Sequence, residues 1–455
     1  MGATTDRPGA AGRSGIAVRL DALPVTRLHW VIVILCALGL LFDVVEAGLS
    51  NALSAVFSAP PHRVPPFELS LLLASVFAGG AVGAPLLGWF ADRHGRRIAL
   101  GSALLVLALA SMLAATSADI AWLTFFRVLS GLALGAYPPL MVAYLSDVLP
   151  PAQRGKMILI CGAIGFLGAP AVVFLIRALT PLQPFGFEGW RWALVIGAIG
   201  SAIVGLLFGW LPESPRWLAA AGRGGEAESA CRQFEQSAGA SAPPTTRAAP
   251  SVREQQNESF WSLAGRRYRL RAALLAAMYF LSPWATIGFP LLSGAVLIEK
   301  GFRVSDSLLY VGIAMFGPSI GVLVGSLVID RVERRTALAL SAGAMALFAL
   351  AFAASDTPVL LMAAGIGFNL IAAIYAAALS IYDAEQFPTA MRASVGSTTW
   401  AVNRVASALV PLALLPLLKA AGALALCGVI AAALLASILL IVTFGPRGLA
   451  RRPVD

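Results

Sequence analysis

Residues 88–97 read Gly-Trp-Phe-Ala-Asp-Arg-His-Gly-Arg-Arg, and a shorter relative of this stretch, Asp-Arg-Val-Glu-Arg-Arg, occupies residues 330–335. Each stretch follows a long apolar run and combines an acid with several arginines. The first acids of the two charged clusters, Asp92 and Asp330, are 238 residues apart. This recurrence indicates that the chain consists of two related halves.

A second motif recurs with the same offset. Asp147-x-x-Pro-x-x-x-Arg154 corresponds to Glu385-x-x-Pro-x-x-x-Arg392, and Asp147 to Glu385 is also 238 residues. Two independent motifs with one offset predict an internal repeat with six apolar spans in each copy. Parallel repeats of six spans are an architecture of secondary transporters.

The composition excludes most classes of protein. The 455 residues are 58% hydrophobic and 12% charged, whereas soluble domains carry about 25% charged residues. The mean hydropathy of +0.82 likewise excludes a soluble enzyme, a disordered chain and a disulfide scaffold. The four cysteines lie far apart without metal-ligand spacing, which predicts packing roles for Cys36, Cys161, Cys231 and Cys427.

About 20 apolar residues are needed to cross a bilayer as a helix. The apolar runs predict an all-α membrane protein with twelve transmembrane helices in two six-helix bundles. The predicted spans are 30–49, 68–90, 98–115, 120–146, 157–176, 192–211, 272–297, 306–329, 336–354, 358–382, 393–418 and 421–444.

The distribution of basic residues predicts the orientation of these spans. Most of the 33 Lys and Arg residues lie in the tails and in the loops on the same side as the tails. Because such residues mark the cytoplasmic side, both termini are predicted to be cytoplasmic. The net charge of +10 is then a topology signal, and no nucleic-acid partner is expected. The opposite side carries Arg63, Arg177, Arg191, Lys300, Arg303 and Lys419.

The predicted organisation has two bundles joined by a polar linker. The linker's middle is rich in Ala, Pro, Ser and Thr, a composition typical of a flexible segment. The predicted parts are a cytoplasmic N-tail at 1–29, a six-helix bundle at 30–211, a cytoplasmic linker at 212–271, a second six-helix bundle at 272–444 and a cytoplasmic C-tail at 445–455.

These residues resemble a known superfamily. The stretch at 88–97 is similar to the loop signature of the major facilitator superfamily. Arg127-x-x-x-Gly-x-x-x-Gly, with Pro-Glu-Ser-Pro-Arg-Trp-Leu at 212–218, resembles its sugar-porter-like branch. The resemblance extends over all twelve spans and is not specific for a substrate. The sugar-porter glutamine pair does not occur in the seventh span, from Tyr279 to Leu297, which lowers the odds of a sugar substrate.

Within that branch, two features resemble the aromatic-acid/proton symporters and the nicotinate transporters. Asp43-Val-Val-Glu46 is similar to the acidic pair of their first helix, and Asn403-Arg404 to the region of their eleventh-helix arginine. The chain departs from these families in the two valines between the acids and in having Glu46 rather than Asp. Elsewhere Asp147 replaces the usual Glu, and Glu333 replaces the glycine of the repeated loop.

The resemblance implies that the charged loops form a cytoplasmic gate that holds one state closed and releases it in the other. The tight turn is assigned to Gly95. Expected contacts are Asp92 with Arg96, Asp147 with Arg154, and Glu385 with Arg392. The alternative is that the arginines serve only as topology anchors. The candidate gate residues are Gly88, Asp92, Arg93, Gly95, Arg96, Arg97, Asp147, Arg154, Asp330, Arg331, Arg334, Arg335, Glu385 and Arg392.

Four charged residues lie inside the predicted spans: Asp43, Glu46, Arg127 and Arg404. An ionised group at mid-bilayer costs at least about 2.5–3.5 kcal/mol, so it faces protein or a wet cavity. At about 1.5 Å per residue, Asp43 and Arg127 lie about 20 Å and Arg404 about 17 Å from the cytoplasmic face, so the four charges are nearly level. They predict a substrate and proton-coupling site. A salt-bridge network that only fixes helix packing remains the alternative.

Two neighbours of Arg404 join the candidate site. Trp400 can stack on a ring and Asn403 can bind a polar substituent, although ordinary packing explains both equally well. In the expected mechanism, one proton on Asp43 or Glu46 leaves the four charges at +1. Arg404 then binds the carboxylate of the substrate.

The leading hypothesis is a proton-coupled importer of a small organic anion, such as an aromatic or heteroaromatic carboxylate. A proton-coupled sugar or polyol transporter, a drug or metabolite exporter and a non-transporting sensor are the alternatives. No catalytic constellation, metal site or cofactor is expected. The expected partners are the lipid bilayer, a small-molecule substrate and protons, and the expected protein is a monomer of a bacterial inner membrane.

Overall fold

The computed structural model describes residues 9–239, 266–328, 331–387 and 389–446. The predicted gate residue Asp330 and the side chain of Arg392 lie outside the described part. Within it, all long elements are helices, and they are Gly9–Ala22 (α1), Arg27–Ser58 (α2), Pro66–His94 (α3), Arg96–Ala115 (α4), Ile120–Leu134 (α5), Tyr137–Val148 (α6), Pro151–Gly165 (α7), Gly168–Leu179 (α8), Gly189–Leu207 (α9), Pro215–Ala220 (α10), Gly224–Ser237 (α11), Arg266–Thr286 (α12), Gly288–Glu299 (α13), Val304–Ala314 (α14), Gly317–Val328 (α15), Arg334–Ala354 (α16), Pro358–Gln386 (α17) and Thr389–Phe444 (α18). Short 3₁₀ turns occupy Pro184–Gly186 and Phe208–Trp210.

Eleven helices among the described residues are long and apolar enough to cross a membrane. The last of them, Thr398–Phe444, has 47 residues. A straight helix of that length would measure about 70 Å, more than twice the thickness of a bilayer core of about 30 Å. Its backbone leaves the helical conformation at Gly422, where φ is 79° and ψ is −178°. The predicted eleventh span, 393–418, ends before this residue, and the predicted twelfth span, 421–444, begins one residue before it.

Several spans are interrupted where proline removes a backbone donor. Pro170 has no N–H to offer the carbonyl of Phe166, four residues earlier, and the chain breaks between α7 and α8 at this point. A similar break separates α12 from α13 at Ile287, three residues before Pro290. Pro283 lies inside α12 and frees the carbonyl of Tyr279. These prolines place polar backbone in the middle of spans.

The segment before the first span and the start of the linker contain helices that the sequence analysis did not predict. On α1, Arg19 forms ion pairs of 2.7 Å with Glu228 and 2.8 Å with Glu235, both on α11. Asp21 pairs with Arg216 of α10 at 2.5 Å. We call the face of the protein that carries α1, α10 and α11 the terminal face.

The two halves of the chain approach one another on the side away from the terminal face. There α2 packs against α13, and α8 packs against α14. The Arg177 Nε donates to the Ser305 carbonyl at 3.0 Å, and Asn51 Nδ2 contacts the Met315 sulfur at 3.5 Å. Between described side chains near the terminal face, no ion pair joins the two halves. The halves also contact one another through α3 with α18 and through α7 with α15.

Candidate functional site

The centre of the first half contains a buried ion pair between α2 and α5. The Glu46 carboxylate pairs with the Arg127 guanidinium, and the two side chains are 5% and 1% exposed. Ser111 Oγ donates to the other Glu46 oxygen at 2.9 Å, and Arg127 also donates to Ser50 Oγ. Because each charge has a partner and added hydrogen bonds, the desolvation cost of burial is largely offset.

One helical turn earlier, Asp43 has a different environment. It lies on the same helix face as Glu46 because the two are three residues apart. It is 4% exposed, and its Oδ1 has no hydrogen-bond partner in the described part of the chain. The basic group that acts on it electrostatically is Arg404 of α18. The two acids therefore face different arginines, one from each half of the chain.

Arg404 lies beside an aromatic ring of its own helix. Its guanidinium carbon lies 4.7 Å from the centroid of the Trp400 ring, in a cation–π arrangement. Its Nε has no hydrogen-bond partner among the described residues. Trp400 is 38% exposed, so its ring is only partly covered by protein. A carboxylate with an attached aromatic ring is the kind of ligand that such a pair can bind.

Asn403 has a structural partner. Its Nδ2 donates to the Tyr279 carbonyl at 3.2 Å, the group that Pro283 leaves without a helical donor. The Asn403 amide thus satisfies a buried backbone acceptor at the kink of α12. This contact places the side chain on the α12 side of α18, while Arg404 and Trp400 interact with each other.

The terminal face contains a second charged site, centred on Glu213. One oxygen of its carboxylate accepts from the backbone N–H groups of Arg96 at 2.9 Å and Arg97 at 3.0 Å. These are orphan donors at the start of α4, so an anion is favourable there. Gly95, between α3 and α4, has φ 113°, a conformation that only glycine adopts readily. A side chain at Gly95 would also meet the Glu213 carboxylate.

Other candidate gate residues surround this cap. Asp92 and Arg96 form the expected ion pair at 2.5 Å, and Arg93 lies over the Trp89 ring at 4.7 Å. Arg97 donates to the Leu211 carbonyl at 2.8 Å. The side chain that would replace the hydrogen of Gly88 would meet open space. The loop is therefore held together by both charge and backbone contacts.

The expected contact between Asp147 and Arg154 is not formed within 4 Å. Instead, Asp147 accepts from Ser214 Oγ at 2.8 Å, and Arg154 donates to the Leu149 carbonyl at 3.2 Å. Arg154 also lies 4.0 Å from Asp21. The reason is that the segment at 212–218 lies against Asp147, so Ser214 and not Arg154 is its hydrogen-bond partner.

In the second half, Glu385 pairs with Arg334 at 3.3 Å. This partner comes from α16, whereas the expected partner, Arg392, lies outside the described side chains. Arg335 donates to the Val442 carbonyl, and Arg331 is exposed. The second loop thus connects α16, α17 and α18 at the terminal face.

Comparison with known proteins identifies the family. The family described as "Sugar (and other) transporter" matches residues 43–450, which include the site and both loops. The chain belongs to the sugar (and other) transporter family. It is therefore a multi-pass membrane transporter of the major facilitator superfamily and not an enzyme.

Individual members of the sugar (and other) transporter family resemble the chain over different lengths. The niacin transporter NiaP of Acinetobacter baylyi is 28% identical, over 87% of this chain and 88% of NiaP. The arabinose-proton symporter of Bacillus subtilis is 36% identical, over 45% of this chain and 46% of the symporter. A partially occluded inward-open structure of the xylose transporter XylE from E. coli has a TM-score of 0.74 and 16% identity, covering 92% and 98% of the two chains.

Three polar residues of this transporter were not predicted from the sequence as site residues. Ser111 bonds to Glu46, but a lone serine in an apolar run carries no signal. Glu213 lies in the quoted segment at 212–218, yet its role as a helix cap depends on tertiary contact. Asp383 is buried at 8% exposure, although the predicted tenth span ended one residue before it. A carboxyl group so close to a span is the signal that could have revealed it.

Proposed function

We propose that this transporter carries a small organic anion, an aromatic or heteroaromatic carboxylate, into the cell together with protons. The observation that carries the proposal is the arrangement of Asp43, Arg404 and Trp400. Asp43, whose Oδ1 has no hydrogen-bond partner among the described residues, interacts electrostatically with Arg404, and this arginine lies over a partly exposed aromatic ring. The niacin transporter among the relatives supports the substrate class, since niacin is a pyridine carboxylate.

The proposed architecture has twelve transmembrane helices in two six-helix bundles, with bundles at 30–211 and 272–444. The break at Gly422 divides the last long helix into two spans. The terminal face is cytoplasmic, because the predicted spans place most basic residues there. A reporter fused after Asp455, or inserted at residue 245, is expected to be cytoplasmic. A reporter inserted at His62 is expected on the opposite side, and the reverse pattern would refute this orientation.

Charge balance gives the coupling. With Asp43 and Glu46 ionised, the four buried charges sum to zero, and Arg404 is neutralised by Asp43. A proton on Asp43 leaves Arg404 uncompensated, and the site then attracts a carboxylate. The loaded site is again neutral, so it can pass through an occluded state of low dielectric constant at less cost than a charged one. The two neutral forms, the empty deprotonated site and the loaded protonated site, are the ones that pass through the occluded state. The anion and the proton are therefore transported together.

Glu46 and Arg127 have a different role in this proposal. Their ion pair is supported by Ser111 and Ser50 and holds α2, α4 and α5 in fixed register. Asp43 is therefore the better candidate than Glu46 for the exchangeable proton. The fixed pair keeps the Arg127 charge from competing with Arg404 for the substrate carboxylate.

Gate movement at the terminal face completes alternating access. The contacts of α2 with α13 and of α8 with α14 on the opposite side support a state open towards the cytoplasm. In the alternate state the Asp92 loop and the Glu385 loop approach one another. Residues Asp330 and Arg392 belong to this proposed gate by their place in the motifs. A monomer in a bacterial inner membrane suffices for this cycle.

A sugar or polyol symporter is the second candidate, because the arabinose and xylose transporters are among the similar proteins. A thermal-shift screen of the purified protein against nicotinate, benzoate, arabinose, xylose and a cationic drug separates the possibilities. The proposal expects stabilisation by nicotinate or benzoate and none by their uncharged amides. Stabilisation by a pentose, without any by the acids, would overturn the anion proposal.

A further inference from the structure

Asp383 is a buried carboxyl group of the second half that no part of the coupling scheme uses. It lies near the end of α17 and is 8% exposed. Thr399 Oγ1 donates to its Oδ2 at 3.1 Å, and the Tyr279 hydroxyl interacts with the same carboxyl group. Both groups are neutral. A buried charge whose described contacts are hydroxyl groups is costly, so its neutral form is favoured more than at the surface.

A continuous set of contacts joins Asp383 to the substrate site. Tyr279 interacts with Asp383 through its hydroxyl and accepts from Asn403 through its carbonyl. Asn403 is adjacent to Arg404 in the chain. Thr399 lies five residues before Arg404 on the same helix, about 7.5 Å towards its start. Asp383 therefore lies between the level of Arg404 and the terminal face, and it bridges α12, α17 and α18.

Three described arginines near this end of α17 have partners. Arg271 of α12 donates to the Gln386 carbonyl at 3.0 Å. Arg334 of α16 pairs with Glu385 at 3.3 Å, and Arg335 donates to the Val442 carbonyl.

Apart from Glu385 and these arginines, the titratable groups near this carboxyl group in the described part of the chain are tyrosines. Tyr375 and Tyr382 lie on α17 itself, and both are almost wholly buried. Tyr279 interacts electrostatically with Tyr375 as well as with Asp383. A tyrosine hydroxyl is protonated at neutral pH, so these groups offer hydrogen bonds and no charge to Asp383.

We propose that Asp383 is a second proton-binding site, reached from the terminal face and coupled to the position of Arg404. Protonation changes the carboxylate from an acceptor of two hydrogen bonds to a group that can also donate. The contacts to Tyr279 and Thr399 must then rearrange, which shifts α12 relative to α18. This inference rests on the proposed proton coupling for its role in transport, while the binding of a proton at Asp383 stands on its own.

Infrared difference spectroscopy tests the protonation directly, with the proton as the only ligand. Spectra of the purified full-length protein are recorded in alkaline and acidic buffer, and the carbonyl stretch of protonated carboxylic acids is compared. Asp383→Asn should remove one band of the wild-type difference spectrum. Tyr279→Phe should retain that band and shift it, because one hydrogen bond is lost. The exposed acid variant Asp356→Asn is the control and should leave buried-acid bands unchanged.

Proton and nicotinate fluxes in liposomes then test the coupling. Asp383→Asn should exchange internal for external nicotinate normally, yet move one proton fewer per nicotinate than the wild type. An unchanged infrared spectrum in Asp383→Asn would overturn the proton site. An unchanged flux ratio, or an equal loss of exchange in Asp383→Asn and Thr399→Val, would overturn its role in coupling. If wild-type protein moves no nicotinate, the substrate proposal fails, and the infrared result still decides the proton site.

Discussion

Glu46 and Arg127 form an ion pair that is almost completely removed from solvent, while Asp43, one turn away, faces Arg404 from the other half of the chain. The two neighbouring acids are thus divided between an ion pair within one half and an electrostatic interaction across the two halves. An interaction across the halves can change during a rocking motion, and one within a single half need not. This difference is the basis for assigning the exchangeable proton to Asp43.

The fixed pair has a consequence for stability. Glu46→Gln leaves Arg127 buried without a counter-charge, and breaking a buried pair in this way costs about 3–5 kcal/mol. Thermal unfolding in detergent should therefore occur at a clearly lower temperature. Glu299→Gln removes the exposed pair with Lys419 and is the matched control, with an expected effect of about 0–1 kcal/mol. Equal melting temperatures for the two variants would show that the Glu46 pair is not a fixed element.

Asn403 is expected to act on α12 through the carbonyl that Pro283 leaves free. Asn403→Leu removes the donor to a buried acceptor, which costs about 1–3 kcal/mol. In a Pro283→Ala background the helix can supply its own N–H, so the same change should cost less. A double-mutant cycle on thermal stability measures the difference. Additive effects of the two changes would contradict the link and leave Asn403 available as a ligand of the substrate.

Asp92 is expected to affect turnover and not binding. Asp92→Asn breaks the pair with Arg96 and changes the balance between the two states, while the central site stays intact. Uptake should slow several-fold with little change in the thermal shift produced by nicotinate. The control is Glu226→Gln, which removes an exposed pair with Arg223 on α11. Weaker binding with normal turnover in Asp92→Asn would argue against a gate.

The docking of α1 on α11 should depend on acid pH. Hydrogen bonds from Arg19 lower the pKa of Glu228 below its usual 4.5 and raise the pKa of Arg19. A carboxyl group with a lowered pKa stabilises the docked state at neutral pH, and this stabilisation is lost as the pH falls through the lowered pKa. The protection of α1 from hydrogen exchange, measured relative to the intrinsic exchange rate at each pH, should therefore fall in acid. Arg19→Gln should exchange quickly at neutral pH, and no difference from wild type would contradict the docking.

Much of the fold was predictable because a bilayer demands long apolar runs. The predicted span at 30–49 lies within α2, which continues to Ser58, beyond the strictly apolar part. The short helices α1 and α10 were missed because their stability comes from tertiary contacts, such as Arg19 with Glu228, and not from local periodicity.

The site was predictable in its members but not in their pairing. Asp43, Glu46, Arg127 and Arg404 stand out because charges are rare inside spans. Which acid meets which arginine depends on the rotation and packing of four helices, about which one sequence carries no signal. Asp383 was not predicted because the predicted tenth span ended one residue before it. An acid in a loop, unlike an acid inside a span, does not indicate a functional site.

In the proposed mechanism, Asp43 carries the coupling proton and Arg404 binds the carboxylate. The most direct test uses liposomes that contain Asp43→Asn protein and measures their uptake of radiolabelled nicotinate against its gradient under an imposed pH difference. The variant should bind and exchange nicotinate, because an amide leaves Arg404 uncompensated as a protonated acid does, but it should not accumulate nicotinate. Arg404→Ala should lose binding itself. Continued accumulation by Asp43→Asn, or full nicotinate affinity in Arg404→Ala, would contradict the account.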